Sequence, residues 1–516
     1  MRQTIVLVVL DGWGIGKRDE SNPIHMAGLK NLPEIERRFP AGALQASGIA
    51  VGLPWEEVGN SEVGHLTLGA GKVLYQHLPK ISMAIDEGSF SKNPELKAAA
   101  THVCKNKSAL HLAGLLTSGN VHAATKHIVA LLEFAKQEKL ERVYLHIFTD
   151  GKDSPPRSAP DLLAKFRKEM DRVGGGVIQS FSGRYYAMDR DDHWDRNARA
   201  YEAMTSVEPG GTIEEAIKKV RDRGLDDEFI EPIVVGENPI RSGDALVFWN
   251  FREDSVRQIV RSFLDSKFDK FPRPEIKNLF VATMTSYEDG NGAHVLFPKD
   301  AALNPLGRVI ADHGKNQLRI AETEKYAHVT YFFNGLREAP YKNEFRVLIP
   351  SRGDVKKEDH PEMMAPAITD RVLLPLNDGG FDFVLVNYAN GDLISHTGVF
   401  DATVRAVKTV DEQVGRLVKQ ALQGNHLLVI TSDHGNAEAL INLQTGEAET
   451  QHDPNPVPIY LVGKDFEGRS KRRTLGGELE PIGLLSDVAP TILELMKLPK
   501  PAEMTGTSLL EQLITI

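Results

Sequence analysis

Ile5-Val6-Leu7-Val8-Val9-Leu10-Asp11-Gly12-Trp13-Gly14 decides the fold. An unbroken apolar run, rather than an alternating one, marks a strand buried on both faces, as in a parallel sheet covered by helices. Glycines bound the run, so Asp11 projects at the C-terminal edge of the sheet, where open α/β sheets bind ligands. Two further β-rich runs end the same way. Phe381 to Asn387 leads into Tyr388-Ala389-Asn390-Gly391-Asp392 and on to His396, and His426 to Ser432 leads into Asp433-His434-Gly435-Asn436. Asp392 and His396 are four apart, so one helical turn aims both at a single point. Asp433 and His434 are neighbours at a strand end, and strand alternation predicts that they face two different metal ions.

Two loops complete the set. Val58-Gly59-Asn60-Ser61-Glu62-Val63-Gly64-His65 is a Gly-rich turn entering a helix, which puts Ser61 at a helix N-terminus. Unpaired N–H groups and a positive partial charge there favour an ionised serine oxygen and a phosphate beside it. Serine still needs a base, a metal or a cation to act as a nucleophile. His452 opens a proline-rich loop, His452 to Pro458, ahead of the strand Ile459 to Val462. Each feature alone has a plain reading, such as an Asp in a turn or a solvated histidine. Together, carboxylates and imidazoles suit divalent transition metals, and paired metals clamp the attacking and leaving oxygens of phosphoryl transfer. The residues predict a two-metal phosphotransferase or phosphatase with Ser61 as nucleophile.

These motifs, with Leu318-Arg319-Ile320-Ala321-Glu322-Thr323-Glu324-Lys325-Tyr326-Ala327-His328-Val329-Thr330, closely resemble the cofactor-independent phosphoglycerate mutases of the alkaline phosphatase superfamily. The resemblance covers essentially the whole chain. It implies that Ser61 becomes phosphoserine, with one ion held by Asp11, Ser61, Asp433 and His434 and another by Asp392, His396 and His452. It implies manganese, with zinc or cobalt as alternatives, and places Lys325 against the phosphate.

The same resemblance supplies substrate contacts. Asn120-Val121-His122 points to His122 as a phosphoglycerate ligand. In Asp150-Gly151-Lys152-Asp153, Lys152 stands where the family has arginine, and Asp153 is the general acid/base for the glycerate hydroxyls. Arg184 and Arg190 hold carboxylate and phosphate. Arg252 and Arg257 remain in Asn250-Phe251-Arg252-Glu253-Asp254-Ser255-Val256-Arg257, but Ser255 takes the place of a family arginine. Serine cannot reproduce a bidentate guanidinium fork. Thr117-Ser118-Gly119-Asn120 also departs from the family's acidic, Gly-rich approach to His122.

A chain of 516 residues exceeds a single core of ~250–300 residues. The expected fold is α/β: an alkaline-phosphatase-like domain, residues 1–76 and 306–516, with a second α/β phosphotransferase domain inserted at 77–305. In the insert, the strands Leu110–Gly114, Val143–Phe148 and Ala245–Asn250 alternate with the helices Thr125–Lys136 and Ala159–Val173. Proline-bearing connectors are expected at Gln76–Pro79 and Phe297–Pro305. Closure of one domain on the other would keep water from the phosphoserine.

The net charge of −10 argues against a nucleic-acid surface. The single cysteine, Cys104, excludes an internal disulfide and fits a reducing compartment; it is expected as a packed small hydrophobe. No signal peptide is expected, since the N-terminus enters a strand almost at once, and no apolar run approaches ~20 residues. The expectation is a cytoplasmic monomer, off the membrane, acting on a small molecule. Interconversion of 3-phosphoglycerate and 2-phosphoglycerate without bisphosphoglycerate is the function implied. The alternative is a metal-dependent phosphomonoesterase of the same superfamily, which the loss of arginine at Ser255 favours.

Overall fold

The computed structural model describes residues 3–514 except 289, 301, 354–355, 472–473 and 476–477. The chain divides into two compact units, residues 1–76 with 300–516, and residues 77–299. The return to the first unit falls at 300 rather than at 306. Ala302 already packs there, against Gly335, and the Asn304 amide donates to Glu503. His77 to Pro79, expected as a connector, form the first turn of the helix His77–Asp86.

The first unit is built on an eight-stranded sheet. Five neighbouring strands run parallel, in the order Glu344–Ile349, Gln317–Glu322, Phe383–Tyr388, Ile5–Leu10 and Leu427–Thr431. Val457–Val462 adds antiparallel to these, followed by Ala41–Gln45 and Pro481–Leu484. Ile5, Leu7 and Val9 pack into one apolar layer with Leu68, Ile310 and Ile492. Val6, Val8 and Leu10 pack into the other with Ile35, Val372 and Leu417. Helices cover both faces, and that is why the strand is apolar at every position. Each such side chain stabilises the fold by roughly 1.5–3 kcal/mol, so Leu7→Ala would cost about 2–5 kcal/mol.

Register carries the motifs to one place. Leu10 lies opposite Tyr388, Val9 opposite Thr431 and Ile320 opposite Val386. The segments that follow, bearing Asp11, Asp392, Asp433 and Lys325, therefore leave from the same edge.

The second unit has a seven-stranded sheet. Val177–Gly183, Val143–Thr149, Leu110–Leu116, Ala245–Phe248, Phe280–Thr283 and His294–Val295 are parallel in that order, with Ile233–Val234 antiparallel at one edge. Thr125–Gln137 and Ala159–Val173 are helical. Both units thus have the expected α/β class. The C-terminal strand ends release 117–122, 150–154, Arg184 and 250–254, again from one edge. Cys104 departs from expectation. It is exposed, because it lies on the outer side of the helix Pro94–Asn106 whose Ala100 and Val103 face the core. Among the described residues, no helix is long and apolar enough to cross a membrane.

Candidate active site

Ser61 is the first residue of the helix Ser61–Ala70, which is capped by Asn60, whose Oδ1 accepts from Val63 N at 3.0 Å. Its Oγ lies 3.1 Å from Asp11 Oδ1, 2.9 Å from His434 Nε2 and 2.6 Å from Lys325 Nζ. Lys325 Nζ also donates to Asp11 Oδ1 at 2.6 Å and to Asp392 Oδ2 at 2.7 Å. Burial opposes the lysine's charge, but Asp11, Asp392 and Asp433 outweigh it and hold the ammonium above the ordinary lysine value.

Asp392 and His396 meet across one turn, as their spacing predicts. Asp392 Oδ1 is 3.1 Å from His396 Nε2 and 3.2 Å from His452 Nε2. The two Nε2 atoms are themselves 3.1 Å apart. Backbone carbonyls explain the orientation: His396 Nδ1 meets Thr450 O at 2.7 Å, His452 Nδ1 meets Gly59 O at 2.8 Å and His434 Nδ1 meets Gly435 O at 3.2 Å. Each ring therefore turns Nε2 inward.

Asp11, Asp433 and His434 form a second donor group. His434 Nε2 is 3.6 Å from Asp11 Oδ1, 3.7 Å from Asp433 Oδ2 and 3.9 Å from Asp392 Oδ1, so it reaches both groups. The expectation that Asp433 and His434 face apart fails, because the strand ends at Thr431. Beyond it the loop is free of strand alternation, and both side chains turn toward Asp11.

This donor set fits divalent cations. Three buried carboxylates, Asp11, Asp392 and Asp433, stand against one buried lysine, and three inward imidazole nitrogens join them. Burial opposes ionisation of Asp392 and Asp433, yet Lys325 and His434 respectively hold them below the ordinary carboxylate range. His434, despite its burial, is raised to about 10, chiefly by Asp433. The same carboxylates favour a metal cation, whose binding would displace the proton from His434. Gly12 is required here: its φ is +72°, and a Cβ would fall 2.7 Å from Asp392 Cα.

Several residues of this site were not singled out from the sequence. His65 Nδ1 lies 2.9 Å from Ser61 O and 3.1 Å from Asp433 Oδ2, and its Nε2 faces Asn387 Nδ2 at 3.1 Å. Asn387 also donates to Asp11 Oδ2 at 2.6 Å, and Asn436 donates to Asp392 Oδ1 at 2.9 Å. Their only sequence signal is membership of the motifs already quoted.

In the second unit, buried Asp150 is the hub. Its Oδ1 accepts from Lys152 N and Asp153 N, each at 3.1 Å, and from Arg184 Nη1 at 2.6 Å; its Oδ2 accepts from Thr117 Oγ1 at 2.6 Å. Arg184 Nη1 also donates to Asp153 Oδ2 at 2.7 Å, and His122 Nε2 lies 3.6 Å from that oxygen. Burial, reinforced by Arg184, lowers His122 to about 4. Arg190 and Arg252 share Asp254, Arg252 Nε lying 3.0 Å from its Oδ1.

The remaining candidates lie differently. Lys152 pairs with Glu228 at 3.0 Å, and Arg257 sits exposed at the start of the helix Arg257–Leu264. Ser255 is buried. Its Oγ donates to Arg252 O at 2.8 Å and accepts from Asn250 Nδ2 at 3.1 Å, closing the turn that bears Arg252.

Comparison with known proteins points to one family. The family profile for the BPG-independent PGAM N-terminus (iPGM_N) matches residues 81–289. The 2,3-bisphosphoglycerate-independent phosphoglycerate mutase of Clostridioides difficile (strain 630) is 42% identical over 520 residues, covering 99% of this chain and 100% of that one. The enzyme of the same name from Moorella thermoacetica is 44% identical over 518 residues, covering 99% of each. A crystal structure of Leishmania mexicana phosphoglycerate mutase at low cobalt concentration aligns over 100% of this chain and 98% of that one, at 29% identity and a TM-score of 0.54. With identity at this level over nearly the full length of both proteins, the chain belongs to the 2,3-bisphosphoglycerate-independent phosphoglycerate mutases.

Proposed function

We propose that the protein interconverts 3-phosphoglycerate and 2-phosphoglycerate through a phosphoserine at Ser61, with no bisphosphoglycerate. The observation that supports it most directly is Ser61 Oγ between Lys325 Nζ and His434 Nε2, among buried carboxylates. Two divalent ions, manganese by preference with zinc or cobalt as alternatives, would be held by Asp11, Ser61, Asp433 and His434 and by Asp392, His396 and His452, and would supply Lewis-acid charge to phosphoryl oxygens.

Ser61 attacks as the alkoxide, the form that Lys325 and the helix N-terminus favour. Its bond to phosphorus forms as the bond from phosphorus to the glycerate oxygen breaks. The Asp153 carboxylate takes the proton of the neighbouring hydroxyl and passes it to that oxygen, and the deprotonated hydroxyl then attacks the phosphoserine. Atoms and charge are conserved, and Ser61 is regenerated. Lys325 offsets charge on the moving phosphoryl group. His122, Arg184, Arg190 and Arg252, with Lys152 and Arg257, hold the glycerate carboxylate and phosphate. The first unit thus carries the phosphoryl chemistry and the second the glycerate. The protein works as a cytoplasmic monomer.

Phosphorus NMR of manganese-loaded protein with 3-phosphoglycerate alone tests the reaction. A 2-phosphoglycerate signal rising to a fixed ratio is expected, and Ser61→Ala should abolish it. Accumulating inorganic phosphate would mean a phosphomonoesterase, and mutase turnover by Ser61→Ala would exclude the phosphoserine.

A further inference from the structure

Glu438 is fully buried, yet it belongs to neither donor group. Its Oε2 accepts from Gly14 N and from Asn436 N, each at 2.9 Å, and its Oε1 from Asn455 Nδ2 at 3.3 Å. These partners come from the three loops that bear Asp11, Asp433 with His434, and His452. Three glycines make room for this one side chain. A Cβ on Gly14 would fall 2.0 Å from Glu438 Oε1, one on Gly435 2.2 Å from the same atom, and one on Gly16 2.9 Å from Glu438 Cβ and Cγ. The loops also bond directly, Ala437 N to Gly12 O at 2.8 Å and Asp453 N to Gly435 O at 3.0 Å.

We propose that Glu438 is a positioning residue which staples the three ligand loops together and thereby sets the affinity of the site for divalent metal. The inference rests on the two-ion reading above. What matters is where the carboxylate oxygens lie. A glutamine can place its carbonyl oxygen on Gly14 N and Asn436 N and, once the Asn455 amide turns over, donate its NH2 to Asn455 Oδ1, whereas an aspartate is one methylene too short to reach them. Outer residues that orient metal ligands typically change affinity by about 10–100-fold.

The experiment is titration of the metal-free full chain with Mn2+, followed by the electron paramagnetic resonance of free Mn2+, with thermal unfolding of the metal-free forms alongside. Glu438→Asp should weaken Mn2+ binding by about tenfold or more. Glu438→Gln should bind within about threefold of wild type, a margin below that range. Both should melt close to wild type without metal. Wild-type affinity in Glu438→Asp, or an equal loss in Glu438→Gln, overturns the positioning role and leaves the two-ion reading standing. Wild type that binds no Mn2+ overturns both. If Glu438→Asp does not fold, Gly14→Ala, whose methyl displaces the carboxylate, must show the same weakening, and wild-type binding there overturns the proposal.

Discussion

Lys325 Nζ and Ser61 Oγ stand 2.6 Å apart in a site that excludes nearly all solvent from both. Water cannot screen this pair, so the ammonium acts at full strength on charge developing at the serine oxygen and the phosphoryl group. Lys325→Met keeps the length of the side chain and removes the charge. Steady-state kinetics should show kcat lower by about 100- to 1,000-fold, as for loss of a buried oxyanion donor. Mn2+ binding should persist, because three carboxylates then lack their internal cation. A kcat within tenfold of wild type would exclude the role.

The two donor groups differ in their access to water. The His396 side chain is 40% exposed and that of His452 is 17%, whereas Asp11, Asp433 and His434 are at 0%. A chelator should therefore strip the ion at Asp392, His396 and His452 first, giving two phases of metal release. His452→Ala should remove the fast phase and lower bound manganese from two ions to one per chain by elemental analysis. Release of both ions in a single phase would contradict the assignment.

Strand-end carboxylates were legible in the sequence because an apolar run stops abruptly at Asp11, and its partner runs stop just before Asp392 and Asp433. What these strands face is local information, written as continuous hydrophobicity. The orientation of His434 was not legible, since it depends on Gly435 O receiving Nδ1 after the strand has ended. His65, Asn387 and Glu438 each take at least one partner 322 or more positions away, such as His65 with Asn387 and Glu438 with Gly14, and no spacing rule reaches that far. Ser255 shows the converse limit. The substitution was visible, but only the fold shows its hydroxyl closing the turn that bears Arg252.

Two histidines of the second unit predict a pH dependence of stability. Burial, with the charge of Lys126 adding, presses His127 down to about 3, and burial with Arg184 presses His122 to about 4. The unfolded chain binds these protons near pH 6.5. Both folded values are depressed, so the stabilisation is full above pH 6.5 and is lost as pH falls toward 4 and 3. Each proton costs about 1.4 kcal/mol per pH unit. His127→Gln should therefore lose about 2 kcal/mol less than wild type between pH 6.5 and 4.5 in urea unfolding. Equal losses would show that His127 takes up its proton in the folded state.

Asp150 gathers three donors on Oδ1 and one on Oδ2 while only 2% exposed. Asp150→Asn preserves this shape. Its carbonyl can still accept from Lys152 N and Asp153 N, and its amide can donate to Thr117 Oγ1. What disappears is the negative charge opposite Arg184, whose second carboxylate partner is Asp153. A charge-assisted hydrogen bond contributes about 1.5–3 kcal/mol, so a guanidinium left with Asp153 alone should hold its place less firmly. The KM for 3-phosphoglycerate should rise by about tenfold, less than the full loss of such a bond, with a smaller change in kcat. Mn2+ binding is a property of the first unit and should be unchanged, which separates this outcome from general destabilisation. An unaltered KM would mean that Asp153 alone suffices to place Arg184 for the substrate.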